Sequence, residues 1–429
     1  MTQSIGRKVS ILLSGSVLAQ ALPVLAAPLL TRIYTPESFG QFGIFTAAAT
    51  ILAALANLKY DQAVLLAKRQ TTAVHLLVLC TASSAVLALL LAAFAWLAPA
   101  SWRQTAGFGT DIFFVACLPV SFMLAASTQS LCSMLFRHEL FSTVAKARVI
   151  QALTTTSLCL GLGMLSATGR VLILATLVGQ SVGIITLVLM RPKNPSARVV
   201  VRGRLLLACI RRYRRFPMFT APSDVLNALG ANLPVLFIGS IYGVGAAGAF
   251  AMAQRVLGTP LMLVGSAFSD AYRQAAAKNS VNNESYWPVA YRTLRTLGLL
   301  AIVPAIVCIL FADTLFPLIF GSKWALSGMT IQVLGFVYFL RFAVSPLSYN
   351  YYLAERHSED LMLQCASFAL TVAIFLYAQS HAVEFITALA LYTAVYFSVY
   401  TIYGVRSMYF ARMSLYKNIH RSDAVVTAQ

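Results

Sequence analysis

Residues 247–268 read AGAFAMAQRVLGTPLMLVGSAF. The stretch is apolar and long enough to cross a bilayer as a helix. One charge, Arg255, stands near its middle. A charge at the bilayer centre costs from about 3 to more than 10 kcal/mol, and such residues rarely face lipid. Arg255 lies about nine residues from the nearer end of its span, or roughly 13 Å at 1.5 Å per residue. A side chain snorkels only part of that distance. The stretch therefore reads as a membrane helix with one face on a polar cavity.

The rest of the chain agrees. Of its 429 residues, 59% are hydrophobic and only 10% charged, where a soluble domain has about 25%. The mean hydropathy is +0.77. Apolar runs recur at 10–30, 40–58, 73–98, 111–134, 149–167, 171–190, 217–239, 247–269, 293–312, 327–350, 361–379 and 384–405. The short alternating segments of a membrane barrel are missing. Helices satisfy their own backbone in lipid, so the chain reads as an all-α polytopic membrane protein with about twelve transmembrane helices. Arg7-Lys8 before an apolar run imitates a signal peptide, but that run exceeds a usual signal core and counts as the first span.

The net charge is +19. Its placement points to membrane topology and away from nucleic acid. With the N-terminus in the cytoplasm, Lys and Arg fall on cytoplasmic segments. The exceptions are Arg32, Arg103, Arg170 and Lys323 outside, and Arg255 and Arg341 within spans. This positive-inside bias puts both termini in the cytoplasm. The largest basic run, RPKNPSARVVVRGRLLLACIRRYRRF at 191–216, reads as an anchor on acidic lipid headgroups. Residues 1–190 then form an N-terminal six-helix lobe and 191–216 a cytoplasmic linker. Residues 217–406 form a C-terminal six-helix lobe and 407–429 a cytoplasmic tail.

The two halves repeat. Pro28, Ile33-Tyr34 and Gly40-Gln41-Phe42 match Pro234, Ile241-Tyr242 and Gly248-Ala249-Phe250, with equal spacing from Tyr to Gly. Six spans per half give both halves one orientation, hence a pseudo-twofold axis along the membrane normal and a substrate site between the lobes. Both opening helices carry two prolines, Pro23 and Pro28, then Pro222 and Pro234; these are the expected bends.

Arg341, in GFVYFLRFAVSPLSYNYY, is as deep as Arg255, and neither span supplies a neutralising carboxylate. Asp224 in the seventh span is a candidate partner for one of them, or a carboxylate sensitive to protons or cations, as is Asp61. Guanidinium groups in a wet cavity attract anions and hold phosphate oxygens bidentately. Lys59, in ANLKYDQAVLL, is a third candidate cation. Tyr349, Tyr351 and Tyr352 read as an interfacial aromatic belt. The seven cysteines include no C-x-x-C pair, so disulfides and zinc are not expected. There is no nucleotide loop, metal-ligand spacing or nucleophile elbow. No cofactor is expected and the chain does not read as an enzyme; the outer loops, longest at about 99–110 and 313–326, are short for a glycan polymerase.

The runs PLLTRIYTPESFGQFGIF (28–45), LKYDQAVLLAK (58–68), RRFPMFTAPSDVLN (214–227) and LPVLFIGSIYGVGAAGAFAMAQRVLGTPLMLVGSAF (233–268) resemble the Wzx-type polysaccharide repeat-unit flippases of the multidrug/oligosaccharidyl-lipid/polysaccharide exporter superfamily. The resemblance touches both halves. It implies a two-lobe bundle that moves undecaprenyl-pyrophosphate-linked oligosaccharide units (O-antigen or exopolysaccharide) from the inner to the outer leaflet of the bacterial inner membrane. It implies a cationic central cavity: Arg32 and Arg255 fall on arginines of the family motif, and Lys59 where Arg or Lys precedes Tyr and an acid. Arg341 matches no motif. Membrane lipids, and a polysaccharide polymerase with chain-length machinery, are the implied partners. A cation-coupled multidrug exporter and a membrane glycan polymerase are the alternatives. Drug-exporting relatives carry a buried acid in the first helix, and this chain has none between Met1 and Glu37.

Overall fold

The computed structural model describes residues 2–97, 112–190, 202–282 and 284–426. Residues 191–201 of the basic run, and the outer loop expected at 99–110 with Arg103, lie outside them. The described residues are mostly helical, without strands. Eleven helical stretches are long and apolar enough to cross a membrane. The protein is an all-α, multi-pass membrane protein.

The chain divides into two compact units, Met1–Ala251 and Met252–Gln429. The first holds α1 (Thr2–Leu25), α2 (Ala27–Ile33), α3 (Pro36–Ala53), α4 (Tyr60–Leu66), α5 (Gln70–Leu97), α6 (Ile112–Arg137), α7 (Phe141–Gly163), α8 (Gly169–Leu189), α9 (Gly203–Tyr213) and α10 (Ala221–Tyr242). The long α11 (Val244–Val281) begins in it. The expected span 149–167 falls on α7, which is not among the eleven: Lys146, Arg148, Gln151 and Thr154–Thr156 dilute its apolar run. α7 packs on α1 and α8 through small residues. A Cβ on Gly15 would stand 2.7 Å from that of Ala145, and one on Gly179 would meet Thr155 Oγ1 at 1.9 Å. Without a hydrophobic drive between helices in lipid, such close approach is what holds them.

The core of this unit gathers Phe45, Phe114, Leu118, Ile173 and Leu177 from α3, α6 and α8. A second cluster sets Tyr60, Ala63 and Val64 of α4 against Leu76 and Cys80 of α5 and Cys209 of α9. The glycines matched by the internal repeat meet each other. A Cβ on Gly248 would lie 2.8 Å from the Gly40 nitrogen and 1.9 Å from the Pro36 carbonyl oxygen.

The second unit holds the rest of α11, then α12 (Trp287–Phe320), α13 (Ala325–Val344), α14 (Tyr349–Leu353), α15 (His357–Ser380) and α16 (Phe385–Val426). α12 packs along α13, and α13 along α16. The outer loop expected over 313–326 is mostly helix, since α12 runs to Phe320 and Ser322–Trp324 form a 3₁₀ turn. The expected tail likewise continues α16 to Val426. Tyr351 is buried rather than placed on a belt, stacked on Tyr403 at 4.7 Å. Buried Asn350 donates to the Ser407 carbonyl at 3.1 Å and accepts from the Tyr272 hydroxyl.

Candidate functional site

In the first unit the site is built on a strained turn. α3 stops at Ala53, and Asn57, Leu58 and Lys59 take φ of 59°, 46° and 61°. Three consecutive non-glycine residues in the left-handed region are costly, at roughly 1–2 kcal/mol each, and persist only where surroundings over-determine them. Asn57 supplies that. It is fully buried. Its backbone N–H donates to Ser84 Oγ at 2.9 Å, and its Nδ2 donates to the Ala126 carbonyl at 3.0 Å. Its Oδ1 accepts from Ser84 Oγ at 3.0 Å and Ser130 Oγ at 2.9 Å. Asparagine is also the non-glycine residue that best tolerates this backbone.

The turn delivers Lys59, itself buried, to Asp224: Nζ and Oδ2 stand 2.9 Å apart. Asp224 lies in the first turn of α10, behind the π-helical turn Phe216–Thr220, where the helix dipole favours a negative charge. Its side chain is 35% exposed, so the pair is less covered at the carboxylate than at the lysine. Asp224, the candidate partner for the deep arginines, is paired with Lys59. Asp61, two residues on, is buried and lies within electrostatic reach of both. Its Oδ1 has no hydrogen-bond partner among the described residues, and buried polar atoms are seldom left so.

Arg32 is exposed in the last turn of α2, favourably placed at a helix C-terminus. The expected bends divide. The α1–α2 break at Ala26 falls two residues before Pro28, and Pro222 follows the π-helical turn at the start of α10. Pro23 and Pro234 lie inside α1 and α10.

In the second unit, Arg255 is half-buried on α11. Arg341 on α13 is exposed, and its guanidinium carbon lies 5.8 Å from the centre of the Tyr400 ring. Tyr338, Tyr392 and Tyr396 are its other near neighbours. Among the described residues no carboxylate forms an ion pair with it.

The sequence reading missed Asn57, Ser84 and Ser130. Asparagine just before Leu-Lys, at the end of an apolar run, was the one available sign of a left-handed turn. It also missed the tyrosines around Arg341, although Tyr392, Tyr396 and Tyr400 show the four-residue spacing of one helix face.

Long apolar helices, with cations among them and a buried polar turn, define a polytopic α-helical membrane protein. Solved structures share the fold. One, described as a multidrug resistance MATE family transporter of the MOP superfamily in an inward-facing conformation, superposes with a TM-score of 0.70 at 14% identity, over 96% of this chain and 98% of its own. Another, the lipid II flippase MurJ in an inward closed conformation, gives a TM-score of 0.68 at 10% identity, over 97% and 91%. Residues 29–327 match the model of the polysaccharide biosynthesis protein family, and the chain belongs to that family. Teichuronic acid biosynthesis protein TuaB of Bacillus subtilis (strain 168) is 24% identical over 55% of this chain and 48% of its own length. Lipopolysaccharide biosynthesis protein WzxC of Escherichia coli (strain K12) is 26% identical over 33% and 29%. The chain thus matches about half the length of one curated relative and under a third of the other.

Proposed function

We propose that the protein flips undecaprenyl-pyrophosphate-linked oligosaccharide repeat units from the cytoplasmic to the periplasmic leaflet of the bacterial inner membrane by alternating access, with both termini cytoplasmic. One observation supports this above others. A member of the polysaccharide biosynthesis family, built of membrane-crossing helices, carries cations within those helical stretches at Lys59, Arg255 and Arg341. Cations at that depth suit an anionic cargo. Lys59, Arg255, Arg341 and Arg32 are assigned to the pyrophosphate and glycan. The proline-marked breaks of α1–α2 and α10 are the flexible elements.

Asp224 and Asp61 are assigned to ion coupling. The observation favouring this is the buried Asp61 Oδ1 with no hydrogen-bond partner among the described residues, next to a Lys59 already engaged by Asp224. A proton or cation reaching this trio would loosen Lys59 from Asp224 and free it for phosphate.

The test is the leaflet location of lipid-linked oligosaccharide in cells depleted of the protein, read with a membrane-impermeant glycan probe on spheroplasts and inverted vesicles. Trapping on the cytoplasmic face is expected. Unchanged appearance outside, with no second flippase present, would refute the assignment and promote drug export or polymerisation.

A further inference from the structure

Among the described residues, Arg341 has tyrosines rather than acids as its near neighbours. Tyr338 sits one turn before it on α13. From α16, Tyr392, Tyr396 and Tyr400 form a ladder, with ring centres 4.6 Å apart in the first pair and 6.2 Å in the second. Tyr392 is buried and backs the ladder, while Tyr338, Tyr396 and Tyr400 stay half-exposed beside the exposed guanidinium. Thr371 Oγ1 donates to the Tyr396 hydroxyl at 3.2 Å, which fixes that rung from α15.

This is an unusual setting for a charge. A guanidinium that served only the fold would be expected against a carboxylate or backbone carbonyls, and among the described residues no carboxylate pairs with it. Rings with polar tips, half-exposed and facing one cation, offer two kinds of surface at once. A pyranose matches both. One face of the sugar presents C–H groups that pack on an aromatic ring, while its hydroxyl edge meets phenolic hydroxyls. The planar guanidinium fork fits a carboxylate bidentately. Charge balance narrows the ligand further. One cation neutralises one carboxylate, whereas a pyrophosphate carries more negative charge and has no apolar face for the rings.

We infer that Arg341 with Tyr338, Tyr396 and Tyr400 forms a glycan subsite for one acidic sugar, a uronate-type pyranose whose carboxylate is held by the guanidinium and whose ring lies on the tyrosines. The inference rests on the flipping assignment for its cargo and deepens it. It divides the cations, with Arg341 serving the sugar and the others the phosphates.

The experiment uses the full-length protein in nanodiscs, titrated with methyl β-glucuronide, methyl β-glucoside and inorganic pyrophosphate and followed by saturation-transfer NMR. About tenfold tighter binding of the glucuronide than the glucoside is expected, a difference one good charge-assisted contact supplies. In R341Q that preference should vanish while glucoside binding persists, and in Y400L both sugars should weaken. R341K, which keeps the charge without the fork, should retain part of the preference and stands in for R341Q if that variant does not fold. Equal binding of the two sugars, no binding of either, or a preference surviving in R341Q overturns the inference. So does pyrophosphate displacing the glucuronide and losing its own affinity in R341Q. Sugar binding is read without transport, so a failed leaflet assay with an intact glucuronide preference would refute flipping and leave the subsite standing.

Discussion

Lys59 Nζ lies 2.9 Å from Asp224 Oδ2, so a cation at the end of one apolar stretch is held by the first acid of another. The pair is asymmetric: the lysine is buried and the aspartate a third exposed. Removing the aspartate would strand a buried charge. A double-mutant cycle on Lys59→Ala and Asp224→Ala, read as thermal stability, should give a coupling of about 1–3 kcal/mol, above the few tenths typical of exposed pairs. Asp224→Asn should also raise the affinity for inorganic pyrophosphate, because Lys59 loses its competitor. Additive single effects would show that the pair is not closed in the membrane.

The left-handed turn at Asn57 makes a second prediction. Asn57→Ala removes the side-chain bonds to Ser84, Ser130 and the Ala126 carbonyl. It also puts a Cβ residue without asparagine's tolerance at φ 59°. Each orphaned buried group costs about 1–3 kcal/mol. Asn57→Gly loses the same bonds but accepts the backbone freely. Melting of purified variants should therefore rank Ser84→Ala and Ser130→Ala mildest, Asn57→Gly next and Asn57→Ala worst. A glycine variant no better than alanine would mean that backbone strain contributes nothing here.

The division between what was legible and what was not follows from this turn. Hydropathy gives the fold class because each span must satisfy its own backbone in lipid. The α1–α2 break falls two residues before Pro28, and proline acts on the backbone locally. Lys59 was readable as a cation of interest, but its partner was not. The contact joins residues far apart in sequence, and the turn that aims it depends on Ser84 and Ser130, which look like ordinary hydroxyls inside apolar runs. Arg341 was readable by depth alone. Its tyrosines come from α13 and α16, which only packing brings together.

Arg255 is half-buried within α11 and is assigned to the cargo's phosphates. Arg255→Ala should abolish glycan export at normal expression, and Arg255→Lys should restore part of it by keeping charge without the bidentate fork. An active Arg255→Ala protein, at matched abundance, removes the residue from the binding set.

Cys209 on α9 packs against the α4–α5 cluster. Burial pushes its thiol above the usual range, and the Arg212 charge pulls it partly back. The thiolate is the reactive form. A raised pKa means that little thiolate is present at neutral pH and that it grows as pH climbs. Iodoacetamide should therefore modify a single-cysteine Cys209 protein slowly at pH 7 and faster at higher pH. Arg212→Ala removes the stabilising cation and should slow the reaction at a fixed pH of about 8. A faster reaction in that variant would show that the arginine shields Cys209 sterically rather than electrically.

Gly40 and Gly248 are matched by the internal repeat and packed against one another, and they make the sharpest structural prediction. A Cβ at Gly40 would sit 1.8 Å from the Val244 carbonyl oxygen, and one at Gly248 1.9 Å from that of Pro36. The obstacle in each case is backbone, which cannot rotate away as a side chain can. Gly40→Ala or Gly248→Ala must push α3 and α11 apart along the contact, at a cost at or above the roughly 1–3 kcal/mol typical of overpacking. Gly161, where a Cβ meets nothing within 4 Å, is the internal control, since glycine-to-alanine in a helix with free space gains stability. Fluorescence-detected size-exclusion profiles after graded heating should show both contact variants collapsing well below wild type and Gly161→Ala at or above it. If Gly40→Ala matched Gly161→Ala, the close approach of the two helices would not be a feature of the protein in the membrane.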